Sequence, residues 1–236
     1  LIDAQIFRSQ IRKNVSGVKV YSITQDILKN CYAWLPKVDE QKKIVRFLDH
    51  KTRQIDQLIE KKKALIEKLD EQRIAVITQA VTKGIDESAI MKHSGVDWLG
   101  DVPMHWITLR LKHITRKIID GAHFTPTYVG EGVPFLRVTD IVKSNGTPIN
   151  NDSVKFIPQE EHDQLSKRCR PEKGDLLYSK NGTIGVSRLV DWDWEFSVFV
   201  SLCLIKPEHK KVSGSYLAAF FESKVTKNQI AIGAKS

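Results

Sequence analysis

Residues 38–81 read VDEQKKIVRFLDHKTRQIDQLIEKKKALIEKLDEQRIAVITQAV, and their spacing decides the architecture. Ile44, Leu48, Ile55, Leu58, Leu65, Leu69 and Val76 fall on a 4-3 repeat, with Lys51, Lys62 and Gln72 filling the gaps. That repeat is a heptad seam, so the stretch predicts one long helix that pairs with another helix. At ~1.5 Å per residue it would be a rod of roughly 65 Å. Pro36 ends whatever precedes it, Asp39 is the expected N-cap, and Gly84 after Lys83 is the expected left-handed C-cap. A second apolar stripe of Ile59, Ile66 and Ile77 lies beside the seam and is wider than a two-helix contact needs.

On the N-terminal side, residues 1–12 have a helical apolar period, Asn14 to Lys19 reads as a turn, and Val18 to Ile23 as a short strand. The chain starts with Leu1 inside a helical pattern, which suggests a piece that begins mid-domain. On the C-terminal side, residues 84–107 carry Gly, Ser, Asp and Pro without period and read as a linker, pinned to a neighbouring surface by Trp98, Leu99 and Trp106. Residues 108–236 predict a mixed α/β domain. Gly132 to Val138 is a strand candidate, and Leu176–Ser179 and Val186–Val190 flank a tight Lys-Asn-Gly-Thr hairpin turn. Val198 to Ile205 reads as one buried strand and Ser215 to Ile232 as one helix. Aligning Gln10-Ile11 with Gln229-Ile230 pairs Asp3 with Glu222, Ile6 with Val225 and Arg8 with Lys227, a weak internal repeat of domain plus helix.

The formal net charge is +9, split as +3 over residues 1–36, +4 over 37–83, −3 over 84–107 and +5 over 108–236. A basic balance on both rod and domain favours a polyanionic partner. No run of about 18 apolar residues spans a membrane, and no signal peptide is visible. Cys31, Cys169 and Cys203 are isolated and lack zinc-ligand spacing, consistent with incidental thiols in a reducing cytosol. No GxxxxGK[ST] phosphate loop, GxSxG, HExxH or NPPY-like methyltransferase tetrapeptide occurs. Asp175, Asp191 and Glu208-His209-Lys210 are the carboxylates and lysine that a metal-dependent nuclease would draw on, against the simpler reading of a solvated turn.

An ordered set of residues resembles the specificity (S) subunit of type I restriction–modification systems. Pro36, Glu40-Gln41, Ile44, Phe47-Leu48-Asp49, Thr52, Ile55-Asp56, Leu58-Ile59, Lys62 and Leu65-Ile66 are similar to that family's helix, and Ala80 to Gly84 to its AVTKG ending. Ser94-Gly95, Trp98-Leu99-Gly100, Pro103 and His105-Trp106 resemble its linker. Asp120-Gly121, His123, Thr125-Pro126, Tyr128, Gly132 to Pro134, Leu136-Arg137, Asp140-Ile141, Gly174-Asp175 and Ser179 to Gly185 resemble blocks of a target recognition domain.

The resemblance implies an α/β (α+β) target recognition domain plus a long α-helix forming an antiparallel coiled coil. The expected division is residues 1–36 as the tail of a first recognition domain, 37–83 as spacer helix, 84–107 as linker, and 108–236 as a second recognition domain incomplete at its C-terminus. The implied function is to read half of a bipartite site in double-stranded DNA and dock methyltransferase (modification) and restriction subunits. The chain itself would be non-catalytic and cytoplasmic, with S-adenosylmethionine, ATP and Mg on the partners. Where the family has two helices and two domains, this chain has one helix and one domain with a fraction of another, so the seam would pair either with the missing second helix or with a second copy in an antiparallel homodimer. The alternatives are a protein-binding coiled-coil scaffold and a metal-dependent nuclease.

Base edges are read by Arg, Lys, Asn, Ser and Thr side chains, and phosphates are held by Lys, Arg and backbone amides. On that chemistry the candidate DNA contacts are Ser179, Lys180, Asn181 and Thr183 at the hairpin turn, His123, Thr125 and Tyr128 in the loop Gly121 to Tyr128, and Arg137 with Thr139 at a strand end. Lys112, Arg116, Lys117 and Lys143 are the phosphate candidates.

Overall fold

The computed structural model describes residues 9, 23–144, 149 and 154–233. Apart from Ser9 and Ile23, the expected helix, turn and strand of residues 1–23, and with them one half of the internal repeat, lie outside the described residues. The chain divides into two compact units, Leu1–Leu65 and Ile66–Ser236.

The first unit contains α1 (Gln25–Lys29) and the start of α2 (Val38–Lys83). Thr24 caps α1 by accepting from the Ile27 N–H at 3.3 Å. The first bond of α2 runs from the Gln41 N–H to the Lys37 carbonyl, so Lys37 rather than Asp39 is the capping position. Asp39 and Glu40 sit in the first turn, where their charge complements the helix dipole. The seven seam residues are each between 43% and 68% exposed, so their apolar face is uncovered in a single chain.

The second unit begins within α2, whose end is buried at Val81 and Thr82. Gly84 follows with φ +81, the left-handed C-cap expected from the sequence. The segment read as an irregular linker forms a short antiparallel hairpin, β1 (Met91–His93) with β2 (Asp101–Pro103). Leu99 and Trp106 line an apolar recess of about 810 Å³ together with Val81, Leu217 and Phe220. Trp98, expected to pin the linker as well, is 41% exposed.

Two sheets form the domain. The larger has the order β3 (Thr115–Asp120), β9 (Leu202–Pro207), β6 (Leu176–Ser179), β7 (Ser187–Leu189), all antiparallel. The smaller has β4 (Val133–Leu136) between antiparallel β5 (Lys155–Ile157) and parallel β8 (Ser197–Val198). Helices α3 (Val138–Ser144) and α4 (Gln159–Ser166) flank it. Leu177, Leu202 and Leu204 on one face of the larger sheet pack with Leu136, Ile141, Phe196 and Val198. Leu176 and Ile205 on the other face pack under Leu217 and Phe221 of α5 (Gly214–Glu222). Burial on both faces explains why β6 and β9 read as continuous apolar runs rather than alternating ones.

Two expected elements are divided. The run Val198 to Ile205 is not one strand: it turns at Val200-Ser201 and switches sheets, with Leu202 N–H donating to the Phe199 carbonyl at 2.8 Å. The backbone of Ala122 takes the hydrogen bonds that a continuous strand would have used there. The helix expected over Ser215 to Ile232 breaks at Ser223, which is extended (ψ 147). Its hydroxyl donates to Phe220 O at 2.7 Å and accepts from Thr226 N–H, closing α5 and opening α6 (Lys224–Gly233). Thr78 of α2 accepts from the Lys224 N–H at 2.9 Å and Arg73 pairs with Glu222 at 2.6 Å, which fixes the break against the end of α2.

Candidate nucleic-acid interface

Three loops meet at one end of the two sheets. They are residues 121–132 after β3, residues 180–186 between β6 and β7, and residues 199–201 between β8 and β9. Ala122 N–H donates to Val198 O and Val200 N–H to Ala122 O, each at 2.8 Å, while Gly121 N–H donates to Leu202 O at 3.2 Å. Lys180 N–H donates to Ser201 O at 3.0 Å, which adds the hairpin loop to the same cluster. Gly121 is required by this approach: a Cβ there would overlap the carbonyl oxygens of Val198 and Phe199.

Side-chain electrostatics lock the loops together. Lys180 Nζ lies 2.6 Å from Asp120 Oδ2, and His123 Nε2 lies 3.9 Å from the same oxygen. Around this pair Asn181, Thr183, His123, Thr125 and Tyr128 are exposed, so the structure brings five of the predicted base contacts to one edge. Lys180 is there too, with its ammonium already engaged. Phe124 on the same loop is 53% exposed rather than packed into the core. Thr127 N–H donates to the Glu161 carboxylate at 3.1 Å, tying the loop to α4. The Tyr128 ring packs edge-on to Phe135 at 6.3 Å, and Lys155 lies over its face at 5.9 Å.

Ser179 is a correction. It is fully buried, its hydroxyl accepts from the Val186 N–H at 2.8 Å, and its backbone N–H bonds the Val186 carbonyl. It closes the loop and has no surface for a base. Nor is the hairpin a two-residue Asn-Gly turn: the last strand pair is Tyr178 with Ser187, leaving a longer loop with Gly182 and Gly185 at positive φ.

Arg137 leaves the end of β4 beside β8, where Leu136 O accepts from the Phe199 N–H at 3.0 Å. Its guanidinium is held by Asp140, with Nη2 to Oδ1 at 3.1 Å and Nε to Oδ2 at 3.2 Å. Asp140 also accepts from the Arg137 backbone N–H at 2.8 Å, closing the first turn of α3 as an N3 carboxylate does. The bond to Asp140 pushes the Arg137 guanidinium pKa up from its ordinary value. One edge of its fork is therefore committed to the fold. Thr139 is exposed on the first turn of α3, and Lys143 is exposed on its last turn.

Lys112, Arg116 and Lys117 are not part of the loop cluster. Lys112 lies in a 3-10 turn before β3, and Arg116 and Lys117 sit at the start of that strand, whereas Asp120 is at its end. Arg116 is the extra residue of a β-bulge, opposite Pro207 and Lys206.

The carboxylates considered for a nuclease are engaged elsewhere. Asp175 is fully buried with Oδ2 2.6 Å from Lys206 Nζ, and Asp191 pairs with Arg188 at 3.1 Å. Glu208-His209-Lys210 follows β9 in a turn. Burial raises the Asp175 pKa, opposed by Lys206 and the Glu172 N–H, while Lys206 lowers that of Glu172. Among the described residues, no group of three or more His, Cys, Asp or Glu is placed to hold a metal ion. No helix among them is long and apolar enough to cross a membrane.

Sequence reasoning missed Asp120 and Asp140 as organisers of the interface. The Arg137–Asp140 spacing at a helix start was a legible signal for the second. Nothing local marks the first, because its partner Lys180 is distant in the chain.

No family model matches the chain. It is 26% identical to the specificity subunit of the type I restriction enzyme EcoBI from Escherichia coli, over 97% of this chain and 49% of that protein. It is 28% identical to the putative type I restriction enzyme MjaX specificity subunit of Methanocaldococcus jannaschii, over 84% of this chain and 47% of that protein. A chain from a solved structure concerning complex assembly and conformational transition of the type I R-M system matches with TM-score 0.53 and 18% identity, over 95% of this chain and 50% of that one. That last match bears on the fold alone. The chain is similar over most of its length to type I restriction enzyme specificity subunits, and it spans about half the length of the curated relatives it matches.

Proposed function

We propose that this chain is a sequence-specific DNA-recognition module that reads one half of a bipartite duplex site. The observation that carries the reading is the convergence of three loops at one sheet edge, with Asn181, Thr183, His123, Thr125 and Tyr128 exposed on a hydrogen-bonded scaffold. Asn and Thr side chains offer the paired donors and acceptors that the major groove presents. Rigid strands under adaptable loops are the arrangement expected where sequence varies and the frame does not.

The uncovered seam of α2 supplies the second half of the proposal. An apolar stripe of seven residues is not stable bare in water. Its occupant is a partner helix, either from an antiparallel second copy or from a longer assembly. The stripe beside it, Ile59, Ile66 and Ile77, would receive methyltransferase and restriction subunits. In this reading the spacer helix is residues 37–83, the linker 84–107 and the recognition domain 108–236. The chain performs no chemistry: S-adenosylmethionine, ATP and Mg act on the partner subunits, in the cytoplasm.

The test is selection from a randomised duplex pool by the chain reconstituted with its modification subunit, at moderate and high salt. Enrichment of a defined motif, with binding that weakens as salt rises, supports the reading. Binding of the modification subunit with no enrichment would leave a protein scaffold and refute it.

A further inference from the structure

The loop edge is close to charge balance, because its two strongest cations are committed: Lys180 to Asp120 and Arg137 to Asp140. The surplus positive charge of the domain lies elsewhere. Arg116 and Lys117 at the bulged start of β3 meet the segment after α4, where Lys117 Nζ donates to the Arg168 carbonyl at 2.6 Å. Arg116 Nε donates to the Pro207 carbonyl at 3.1 Å. Lys167 and Arg168 are exposed beside them. Among the described residues none of these four forms an ion pair. The nearby carboxylates of Glu172 and Asp175 are taken by Lys206, at 2.8 and 2.6 Å.

We propose that Arg116, Lys117, Lys167 and Arg168 form a phosphate anchor for duplex DNA, separate from the base-reading loops and indifferent to sequence. This rests on the DNA-recognition reading above. The bulge at Arg116 turns an extra cation outward at an edge strand, and the two backbone-directed bonds of Arg116 and Lys117 hold both stems without neutralising their charge. Lys117 and Arg116 lie three and four residues before Asp120, about 10 to 14 Å along the strand. That separation corresponds to about three to four base pairs of duplex at ~3.4 Å each. One straight duplex lying along β3 therefore meets the loops with its bases and the anchor with its flanking phosphates.

The experiment compares the wild-type complex with Arg116→Gln/Lys117→Gln/Arg168→Gln, and with Lys61→Gln/Lys63→Gln/Lys68→Gln, which removes as many charges from the helix. The anchor variant is expected to bind every duplex more weakly by one common factor. Its log-affinity against log-salt slope should be shallower by about 2.7, at ~0.9 per phosphate contact, with the enriched motif unchanged. The helix variant should keep the wild-type slope. Ethylation interference on the wild-type complex should mark phosphates about three to four base pairs beyond the motif, a readout that does not depend on folding of a variant. An unchanged slope in the anchor variant, a changed motif, or interference only within the motif would overturn the anchor while leaving base reading intact. Absence of salt-dependent duplex binding by the wild type would overturn both.

Discussion

Replacing Asp120 by Asn tests the loop edge most directly, because stability and DNA binding should move in opposite directions. Asp120 and Lys180 keep 29% and 36% side-chain exposure, so their 2.6 Å contact is a semi-exposed ion pair. Such pairs contribute about 1 kcal/mol or less. The Asn amide can still reach Lys180 or His123, and the backbone bonds of Gly121 and Ala122 remain. Unfolding in urea should therefore shift by no more than about 1 kcal/mol. On DNA the change removes one negative charge from the interface and frees one ammonium for a phosphate. The salt slope should steepen by about 0.9, so the loss of affinity between 50 and 200 mM salt should grow by about 3.5-fold. Affinity for non-cognate duplexes should rise, and discrimination between cognate and non-cognate should narrow. The assay is fluorescence anisotropy of labelled duplexes over a salt series. An unchanged slope with unchanged affinity would mean that this edge does not face DNA. A stability loss of several kcal/mol would mean that the pair holds the domain together instead.

Lys206→Met should cost about 3–5 kcal/mol at neutral pH, because it leaves buried Asp175 without its countercharge. Burial already sets the folded pKa of Asp175 above its unfolded value, so the folded state binds more protons in that window. Stability of this variant should thus fall as pH rises through the folded pKa and recover as pH falls towards the ordinary carboxylate range, which a series of urea titrations across that fall would show. Gly121→Ala should destabilise by about 1–3 kcal/mol, since the added carbon meets two carbonyl oxygens; an unaltered melting curve would contradict the close approach. The Cys169 thiol is buried and pushed up to about 11. It should resist a thiol reagent at about pH 8, where roughly a thousandth is thiolate, and react only after unfolding. Rapid native labelling at Cys169 would show that the core around it opens.

The sequence by itself determined the long helix, because a heptad period and a terminal glycine are local signals that need no partner to be read. The actual limits, Val38–Lys83, and the positive φ at Gly84 follow from them. It also marked most of the residues that gather at the loop edge, since polar and glycine-rich loops between apolar runs are visible in one dimension. Only the tertiary structure decided which of those residues are free. Ser179 and Asn181 are two positions apart with similar chemistry. One is sealed beneath the hairpin loop and the other faces solvent, because burial depends on what lies across the sheet. The apolar run Val198 to Ile205 looked like one strand because hydrophobicity reports burial and not which sheet does the burying. Its break is imposed by the backbone of Ala122, far away in the chain. The pairing of Asp120 with Lys180, and the separation of Arg116 and Lys117 from the loops, have the same origin. Charges are written along the chain, but their distances are set by strand order, and the order β3-β9-β6-β7 puts residues 120 and 180 together.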